Sequence, residues 1–497
     1  MGSFFKYFTF SIFVALFAII LQAYYESGNL QDVTLVLTDL VKLEKFERKA
    51  VPRIVVGYGS CSDLILHAVE FLNYSESYKD FQRRNENDDE INNLEDFMRS
   101  FLYYFHKGAA AERYTPNKEV FLNLVQLAKK HSSSRWELGG NAPIMATRLL
   151  FEKTEVLLAA TMSDKQKTHL INGIEIVDFK PTEDFVDDIH LILEYKTGDE
   201  FGDHKAPRAN RYILHSDENN PMLKSLDLLD VNSFKPDLFI VSGLHMMDSF
   251  PYKDPSVRSQ RLEKAKKQMT TADKNTLIHF EMASYVELEL MNDITKYVLP
   301  YTDSIGCNEQ EINNLMNVLK SGRVSIVADS NPRVASTLDE MRTVFKILNK
   351  NYFDNREKDT DLRMISRIHI HTLAFQLILN VKGSKWRRIK NAVAKSSLMA
   401  HSHVCQTYYV NPENAMLIFD GSFATSADPK ETEDIRPKRI EANKSNPGAA
   451  CWTETIYVSS NPIDVKICIA PVLVCKEAKK TVGAGDNISA VGVATQI

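Results

Sequence analysis

The segment 481–487 (TVGAGDN), near the end of the chain, combines two glycines, a carboxylate and the predicted start of a helix. Gly483 and Gly485 allow a turn in which several backbone N–H groups point into one small space, and the positive end of the helix dipole adds to them. Such a turn binds an anion. Asp486 beside it can take a proton from an alcohol while the amides stabilise developing charge. The arrangement is typical of phosphoryl transfer, although an ordinary glycine turn with an aspartate cap uses the same residue types.

Apolar segments on both sides indicate how this turn is positioned. Residues 464–475 predict one or two buried strands, because β-branched and apolar residues dominate them. Residues 488–495 are small and apolar, as in a helix that packs close to a sheet. Strand-like and helix-like segments alternate along the rest of the chain, which favours an α/β fold with a mostly parallel sheet covered by helices.

Composition and charge narrow the functional classes. The chain has 497 residues, of which 44% are hydrophobic and 25% charged. These are values of a globular protein that is long enough for one large α/β domain with a lid, or for several ordinary domains. The formal net charge of −5 argues against nucleic acid as a partner, because binding to a phosphate backbone requires clustered lysine and arginine.

Residues 1–25 have the pattern of a targeting segment. After Lys6, residues 7–21 are apolar apart from Thr9 and Ser11. This run is shorter than the roughly 20 residues that span a bilayer comfortably, so we expect a signal peptide or a signal anchor. The expected location is the secretory pathway: the endoplasmic reticulum lumen, its membrane through this segment, or the exterior. An amphipathic N-terminal helix is the alternative, but the run lacks a polar stripe at helical spacing.

The six cysteines are few for a protein framed by disulfides, and none form a C-x-x-C motif, which disfavours a zinc site. In an oxidising compartment the later cysteines could pair, but their spacing does not give the connectivity.

Two acidic residues follow segments that lead into turns. Asp63 comes just after a predicted strand at residues 53–59, where open α/β sheets bind ligands; alternatively it caps a helix that begins near Leu64. Glu112 follows the small residues 108–111, and it either hydrogen-bonds a hydroxylated ligand or pairs with a nearby cation.

A double glycine precedes a predicted helix at residues 144–151. Gly139 and Gly140 expose more backbone than a helix cap requires, which indicates close approach of another group. Asn141 after them offers both a donor and an acceptor to a sugar hydroxyl, or it caps the helix.

Two later segments place acidic side chains where Mg²⁺ binds. The strand 277–281 ends with His279 and Glu281 on one face, because side chains alternate along a strand. This pair suits magnesium, held directly or through its water shell. Asn308-x-x-Glu311 is a capping-box pattern, which also places Glu311 at a helix start facing the same ligand edge.

A further strand, residues 367–372, places Arg367, His369 and His371 on one face. The histidine pair could bind a metal, but no cysteine or acidic residue is close in sequence, so a ligand-facing strand is the preferred interpretation.

In this order, the motifs resemble those of the eukaryotic ADP-dependent glucokinases; they are residues 135–143, His279-x-Glu281, Asn308-x-x-Glu311, residues 367–372 and Gly483-Ala484-Gly485-Asp486. The resemblance covers residues 50–497. It implies an α/β, ribokinase-like fold, in which helices flank a central, mostly parallel sheet. A smaller, discontinuous α/β lid, built from segments in the N-terminal half, is expected to close over the sugar. The resemblance also implies a monomer, and the family's lumenal targeting agrees with the apolar N-terminal segment.

The resemblance assigns Asp486 as the catalytic base that deprotonates the sugar 6-hydroxyl. The amides around Gly483, Ala484 and Gly485 are then the anion hole for the transferred phosphate. The implied reaction is transfer of the β-phosphate of ADP to the 6-hydroxyl of D-glucose, which gives glucose 6-phosphate and AMP. The choice of ADP over ATP rests on the resemblance alone.

The remaining roles are implied in the same way. Mg²⁺ is the implied cofactor, and the residues expected at the metal are Glu281, Glu311 and Asp486. The residues expected to bind glucose are Asp63, Glu112, Gly140 and Asn141. His371 is expected on the nucleotide side.

Two other functions stay open, and a third is disfavoured. The same fold could phosphorylate another sugar, such as fructose 6-phosphate, but that acceptor requires additional lysine or arginine, and Glu112 argues against it. A non-catalytic lumenal protein that binds a nucleotide or a sugar would not need Asp486. A dinucleotide-binding dehydrogenase fits poorly, because no room for a βαβ unit follows the glycine turn.

Overall fold

The computed structural model describes residues 30–75, 90–325, 333–418, 423–427, 438–440 and 447–497. The predicted targeting segment, residues 1–25, lies outside the described residues.

The strands, in chain order, are β1 (Arg53–Gly57), β2 (Cys61–His67), β3 (Ala111–Tyr114), β4 (Arg135–Gly139), β5 (Glu155–Ala159), β6 (Ile174–Ile176), β7 (Ile189–Tyr195), β8 (Glu200–Phe201), β9 (His204–Lys205), β10 (Asn210–His215), β11 (Leu238–Val241), β12 (Leu277–Glu281), β13 (Ser304–Cys307), β14 (Arg367–His371), β15 (Phe375–Val381), β16 (Ala415–Met416), β17 (Ala450–Val458), β18 (Asn461–Pro471) and β19 (Val474–Cys475).

The α-helices are α1 (30–43), α2 (Ala68–Phe71), α3 (Leu94–Lys107), α4 (Lys118–Lys130), α5 (Asn141–Phe151), α6 (Asp164–Lys167), α7 (Ser225–Leu228), α8 (Val231–Phe234), α9 (Ser256–Thr271), α10 (Leu288–Tyr297), α11 (Glu309–Ser321), α12 (Val334–Asn355), α13 (Ile389–Cys405) and α14 (Ala484–Gln496). Short 3₁₀ helices cover Asn220–Met222, Leu244–Met247, Leu299–Tyr301 and Pro412–Asn414.

The central sheet has ten strands in the order β17-β18-β15-β14-β13-β12-β11-β1-β5-β6. Neighbours are parallel from β14 through β6, whereas β15, β18 and β17 add antiparallel strands at one edge. Helices cover both faces. Val55 packs with the cluster that contains α9 to α12, and its neighbours Ile54 and Val56 pack with α5 and α14. This two-sided burial explains why the strands are continuously apolar.

A second sheet, called here the lid sheet, has the strand order β3-β10-β7-β2-β4. Its strands come from residues 61–215, and they mix parallel with antiparallel neighbours. One face packs on α3 and α4. The other face carries Ile65, Ile192 and Ile213, which contact Val482 just before the glycine turn. The predicted α/β architecture, a mostly parallel sheet flanked by helices together with a smaller second sheet, is confirmed.

Local capping explains several element boundaries. Helix α3 begins after Asn93, whose side chain accepts from the Asp96 amide, and it ends at Gly108 in the left-handed conformation. Helix α11 begins with the predicted capping box, in which Asn308 and Glu311 bond each other's backbone amides.

Two helix expectations were wrong. No helix begins near Leu64, because residues 61–67 form β2 and pair with β4 and β7. Asn141 is not a helix cap: Gly140 holds the cap position of α5, and the Asn141 side chain bonds a residue of another helix.

Disulfide bonds join Cys405 to Cys475 and Cys451 to Cys468, whereas Cys61 and Cys307 are free and buried. All four paired cysteines come from the later part of the chain, as the sequence predicted. Among the described ranges, no helix has both the length and the apolar character needed to cross a membrane.

Candidate active site

A cavity of about 750 Å³ lies between the lid sheet and the carboxyl edge of the central sheet. Most of the predicted site residues share this cavity: Glu112, Asn141, Glu281, Glu311, His371, Ala484, Gly485 and Asp486 line it. Its volume is in the range of pockets that hold small molecules and cofactors. Gly483, Asp63 and Gly140 are not among the lining residues, although each is adjacent in sequence or by hydrogen-bonded strand pairing to residues near the cavity.

The glycine turn places Asp486 in the first turn of α14. Gly483 is the cap residue of this helix and has a φ of 69°, a conformation that favours glycine. The Asp486 side chain is buried at 9% exposure, and its Oδ1 accepts a hydrogen bond of 2.7 Å from Asn141 Nδ2. Burial, together with the charge of Glu281, raises the pKa of Asp486 to about 6. The carboxylate is therefore mostly ionised at neutral pH and can accept a proton.

Glu281 ends β12 and is held by three donors. Its Oε2 accepts from His279 Nε2 at 2.9 Å and from Ser489 Oγ at 2.5 Å, and its Oε1 accepts from His371 Nε2 at 2.8 Å. Burial raises the pKa of Glu281, but the hydrogen bonds from His279 and His371 outweigh it and keep the pKa below its ordinary value. Glu281 is thus a fixed negative charge beneath the cavity.

A polar chain behind Glu281 fixes the state of His279. Arg367 Nη1 donates to Ser304 Oγ at 3.0 Å, and Ser304 Oγ lies 2.8 Å from His279 Nδ1. Burial lowers the pKa of His279, so the ring is neutral. The Glu281 carboxylate can only accept, so Nε2 carries the ring hydrogen and Nδ1 accepts from Ser304 Oγ. The predicted common face of Arg367, His369 and His371 is confirmed, but only His371 of the three lines the cavity.

Glu311 adds a third carboxylate. Its two oxygens accept from the Asn308 backbone amide at 2.8 Å and from Asn308 Nδ2 at 2.7 Å. Burial, with a contribution from the charge of Glu281, raises the pKa of Glu311 to about 7. Glu281, Glu311 and Asp486 all line the cavity, and their carboxylates are the hard oxygen donors that Mg²⁺ prefers. Their oxygen atoms do not all lie within 4.8 Å of one another, so the three side chains suit an ion that is held partly through its water shell.

One polar end of the cavity is built around Glu112 in β3; the sequence analysis expects the sugar there, and this part is called the sugar end below. Glu112 Oε1 lies 3.6 Å from His190 Nδ1, and Oε2 lies 3.3 Å from His245 Nε2. Behind them, His190 Nε2 lies 3.1 Å from both oxygens of Asp217. Burial lowers the pKa of His190, but Asp217 and Glu112 outweigh this effect and raise it to about 10. Glu112 therefore pairs with nearby cations, as one of the two alternatives predicted, and it also lines the cavity. Binding of a hydroxylated ligand stays a prediction.

Asp63 lies within β2, below this group. Burial raises its pKa to about 7, and Cys61 Sγ lies 3.3 Å from its Oδ1. A Cβ on Gly139 would lie only 1.9 Å from Asp63 Oδ1, so the glycine makes room for the carboxylate. Gly140 caps α5 beside this contact.

Two clusters of described residues could hold a metal ion by distance. They are Cys61, Asp63 and His190, and His190, His215 and Asp217, with ligand atoms within 4.8 Å of one another. The possible ligand atoms already contact one another, Cys61 Sγ with Asp63 and His190 Nε2 with Asp217. We therefore treat both clusters as part of the hydrogen-bonded wall of the sugar end.

Three residues at or beside the cavity were missed by the sequence interpretation. His245 and Arg211 line the cavity, and His190 lies next to it, with Nδ1 3.6 Å from Glu112 Oε1. Arg211 lines the cavity, and its buried Nε has no hydrogen-bond partner among the described residues. Its charge lowers the pKa values of Glu311 and Asp486, against the larger effect of burial. The available signal was a polar residue within a mostly apolar buried strand, as with His190 in β7.

The opposite end of the cavity is more apolar. Ala400, Val404, Val472 and Val474 form its walls, and the Cys405–Cys475 disulfide lies at its edge. The cations Lys476 and Lys479 also line this end. An apolar slot with nearby lysines suits a flat base joined to phosphates.

Comparison with known proteins agrees with this geometry. Residues 52–495 match the family described as ADP-specific Phosphofructokinase/Glucokinase conserved region. A Bos taurus protein named ADP-dependent glucokinase is 30% identical over 449 residues, which are 89% of this chain and 84% of that protein. A Caenorhabditis elegans protein named probable ADP-dependent glucokinase is 26% identical over 451 residues, with coverage of 89% and 84%.

The fold is similar to that of a solved ADP-dependent kinase in complex with fructose-6-phosphate and ADPβS. The TM-score is 0.61 at 18% identity, and the match covers 94% of this chain and 97% of that one. The match to the family's conserved region spans most of the chain, and the sequence motifs meet in one cavity. This chain therefore belongs to the ADP-specific phosphofructokinase/glucokinase family.

Proposed function

We propose that this chain is an ADP-dependent glucokinase, which transfers the β-phosphate of ADP to the 6-hydroxyl of D-glucose and releases AMP. The observation that carries the proposal is the placement of Asp486, a buried and mostly ionised carboxylate, in one cavity between a sugar-type polar end and an apolar, lysine-containing end. The named functions of the cattle and nematode relatives support the same donor and acceptor.

Asp486 is the proposed catalytic base. Asn141 binds its Oδ1, and this bond fixes the carboxylate in the first turn of α14. The 6-hydroxyl gives its proton to Asp486 as its oxygen attacks the β-phosphorus, and the bond to the α-phosphate oxygen breaks. The amides of Gly483, Ala484 and Gly485 then hold the charge on the transferred group, and Arg211, which lines the cavity, adds a positive charge near Asp486.

Glu112 is the proposed anchor for the sugar hydroxyls, with Asp63, Gly140 and Asn141 around it. The carboxylate is held between two histidines, so it is presented in a fixed direction. His371 contacts Glu281 on the side of the cavity that faces the nucleotide end, which supports its proposed place beside the phosphates.

Mg²⁺ is the proposed cofactor, and Glu281, Glu311 and Asp486 are the residues that would hold it or its water shell. When bound, the ion neutralises phosphate charge. The chain's own contribution is to fix two of these carboxylates in place, Glu281 by bonds from His279 and His371 and Glu311 by bonds from Asn308.

The charged groups at the sugar end favour glucose over fructose 6-phosphate as the acceptor. An acceptor with its own phosphate requires unpaired cations at the sugar end. There, the cation His190 already pairs with Asp217, and Glu112 lines the cavity. The histidine cations described at this end are thus already paired with carboxylates, which favours an uncharged sugar.

The secretory pathway is the proposed location, with residues 1–25 as the targeting segment and the chain as a monomer. The two disulfide bonds support this location, because such bonds persist in oxidising compartments. Protease protection of the chain in isolated microsomes, lost on addition of detergent, tests it; digestion without detergent would contradict it.

The test of function is formation of glucose 6-phosphate by a chain that starts after residue 25, with Mg²⁺ and either ADP or ATP. We expect turnover with ADP and little with ATP, and a loss of at least about 10³-fold in Asp486→Asn. Better use of ATP would overturn the donor, and faster phosphorylation of fructose 6-phosphate would overturn the acceptor. No turnover with any pair would favour a binding protein.

A further inference from the structure

The backbone that leads into the glycine turn is held by the lid sheet. Glu194, in β7, accepts from the Thr481 amide at 2.6 Å, from Thr481 Oγ at 3.0 Å and from the Val482 amide at 3.2 Å, all with Oε1. Its Oε2 accepts from Arg135 Nη2 at 2.7 Å. The side chain is only 11% exposed. A buried carboxylate with four donors is fully used in binding this backbone.

Val482 is fixed from several directions. Its side chain packs against Ile65, Ile192 and Ile213, one from each of three adjacent lid strands. Its carbonyl accepts from His403 Nε2 at 2.8 Å, and His403 belongs to α13. The lid therefore holds the amide and the side chain, whereas the helix layer of the central sheet holds the carbonyl.

A second ion pair lies next to this contact. Lys480 Nζ pairs with Glu137 of β4, so three consecutive residues, Lys480, Thr481 and Val482, contact lid strands. These contacts exist only while the lid sheet lies against the turn. Gly483, the next residue, begins the anion-binding amides, whose N–H directions depend on how residues 481 and 482 are held.

We propose that Glu194 is a positioning residue: by binding the 481–482 backbone when the lid is closed, it sets the direction of the amides at Gly483, Ala484 and Gly485. Closure over the sugar and assembly of the anion hole are then one event. The expected effect on kcat rests on the proposed function, whereas the expected effect on the order of the 480–486 backbone does not.

The test compares Glu194→Gln with the wild-type chain. The substitution keeps the size of the side chain. It replaces one carboxylate oxygen by an amide NH₂ group, which cannot accept from the Thr481 and Val482 amides or from Arg135. A control, Glu200→Gln, changes an exposed lid glutamate that pairs only with Lys205 in the described structure. The measurements are kcat, KM for ADP and for glucose, and hydrogen exchange of the amides in residues 480–486 with and without glucose.

In Glu194→Gln we expect kcat to fall about 10- to 100-fold while KM for ADP changes by less than about threefold, because misplaced catalytic groups slow the reaction more than they weaken binding. Exchange in residues 480–486 rises about tenfold or more, and glucose no longer slows it. Glu200→Gln matches the wild-type chain in every measurement.

Two results would overturn the proposal: a kcat within about twofold of wild type, or unchanged exchange in residues 480–486, even if the variant unfolds at a lower temperature. If Glu194→Gln does not fold, Val482→Ala decides by the same two criteria, because it removes the apolar half of the contact. A wild-type chain without phosphoryl transfer would refute the proposed function alone, and the exchange comparison would still decide the role of Glu194.

Discussion

Asn141 and Asp486 are joined by a hydrogen bond of 2.7 Å that links the first turn of α5 to the first turn of α14. Helix α5 directly follows the lid strand β4, and α14 directly follows the glycine turn. The bond occupies Oδ1 of the proposed base, so the direction of the carboxylate is set by a residue from the lid connection.

Replacement of Asn141 by alanine is expected to reduce kcat for glucose about 10- to 100-fold, because a hydrogen bond to a charged group contributes about 1.5–3 kcal/mol. The carboxylate then rotates away from the attacking hydroxyl. Steady-state kinetics with ADP and glucose measure the effect, and the control is Asn317→Ala, which removes a half-buried side chain of α11 that bonds Asn313. A kcat within about twofold of wild type would show that the bond does not orient Asp486.

Glu112→Gln is expected to raise KM for glucose about tenfold or more and to leave KM for ADP nearly unchanged. Glu112 lines the sugar end, and the carboxylate is a stronger acceptor for hydroxyl groups than an amide. Calorimetric binding of glucose and of ADP checks the prediction, with Glu155→Gln at the exposed end of β5 as the control. Equal weakening of both ligands would instead indicate general loss of structure.

Local signals made part of this fold predictable. Helix α3 has an Asn cap at its start and a Gly at its end, and α11 has a capping box, so both are specified by residues within a few positions. The common face of His279 and Glu281 follows from strand alternation alone, and the two side chains bond each other at 2.9 Å.

Other features depend on partners far away in sequence. From its neighbours in sequence, Asp63 could be a helix cap. It lies in a strand because β2 pairs with β4 and β7, and no residue near Asp63 in sequence indicates this pairing. The sequence around Asn141 is compatible both with a helix cap and with the first position of the helix. The first position is occupied because the Asn141 side chain bonds Asp486, which is far away in sequence. His190 and Arg211 become site residues only when the lid sheet brings β7 and β10 over the glycine turn.

The two disulfides are expected to differ in their effect on ADP. Cys405–Cys475 lies at the edge of the nucleotide end, whereas Cys451–Cys468 joins neighbouring strands β17 and β18. Replacing Cys405 and Cys475 by serine should raise KM for ADP several-fold without a similar change for glucose, because the wall that carries Val404 and Val474 loosens.

The matched control is the double replacement of Cys451 and Cys468. The closed loops span 70 and 17 residues, so loss of either bond is expected to lower the free energy of unfolding by roughly 3–4 kcal/mol in the chain-entropy treatment. Unfolding in urea and KM for ADP are measured on both variants. A similar rise in KM for ADP in the control would show that a general loss of stability, and not loosening of the wall at the nucleotide end, weakens ADP binding.

His403 is expected to make the turn before the anion hole sensitive to acid. Burial, with a smaller contribution from Lys480, lowers the pKa of His403 to about 4, whereas a histidine in an unfolded chain titrates near about 6.5. Between these values the unfolded chain binds a proton that the folded chain does not. The free energy of unfolding therefore falls as the pH falls from about 6.5 to about 4.

His403→Gln should flatten this dependence, because glutamine does not titrate and its amide can still donate to the Val482 carbonyl. The carboxylates of Glu194 and Glu137 also face this position and stay in both chains, so the difference between the two curves isolates His403. Urea unfolding at several pH values between about 7 and 4.5 measures it. Parallel curves for the two chains would contradict the prediction, since the proton taken up on unfolding would then belong to another group.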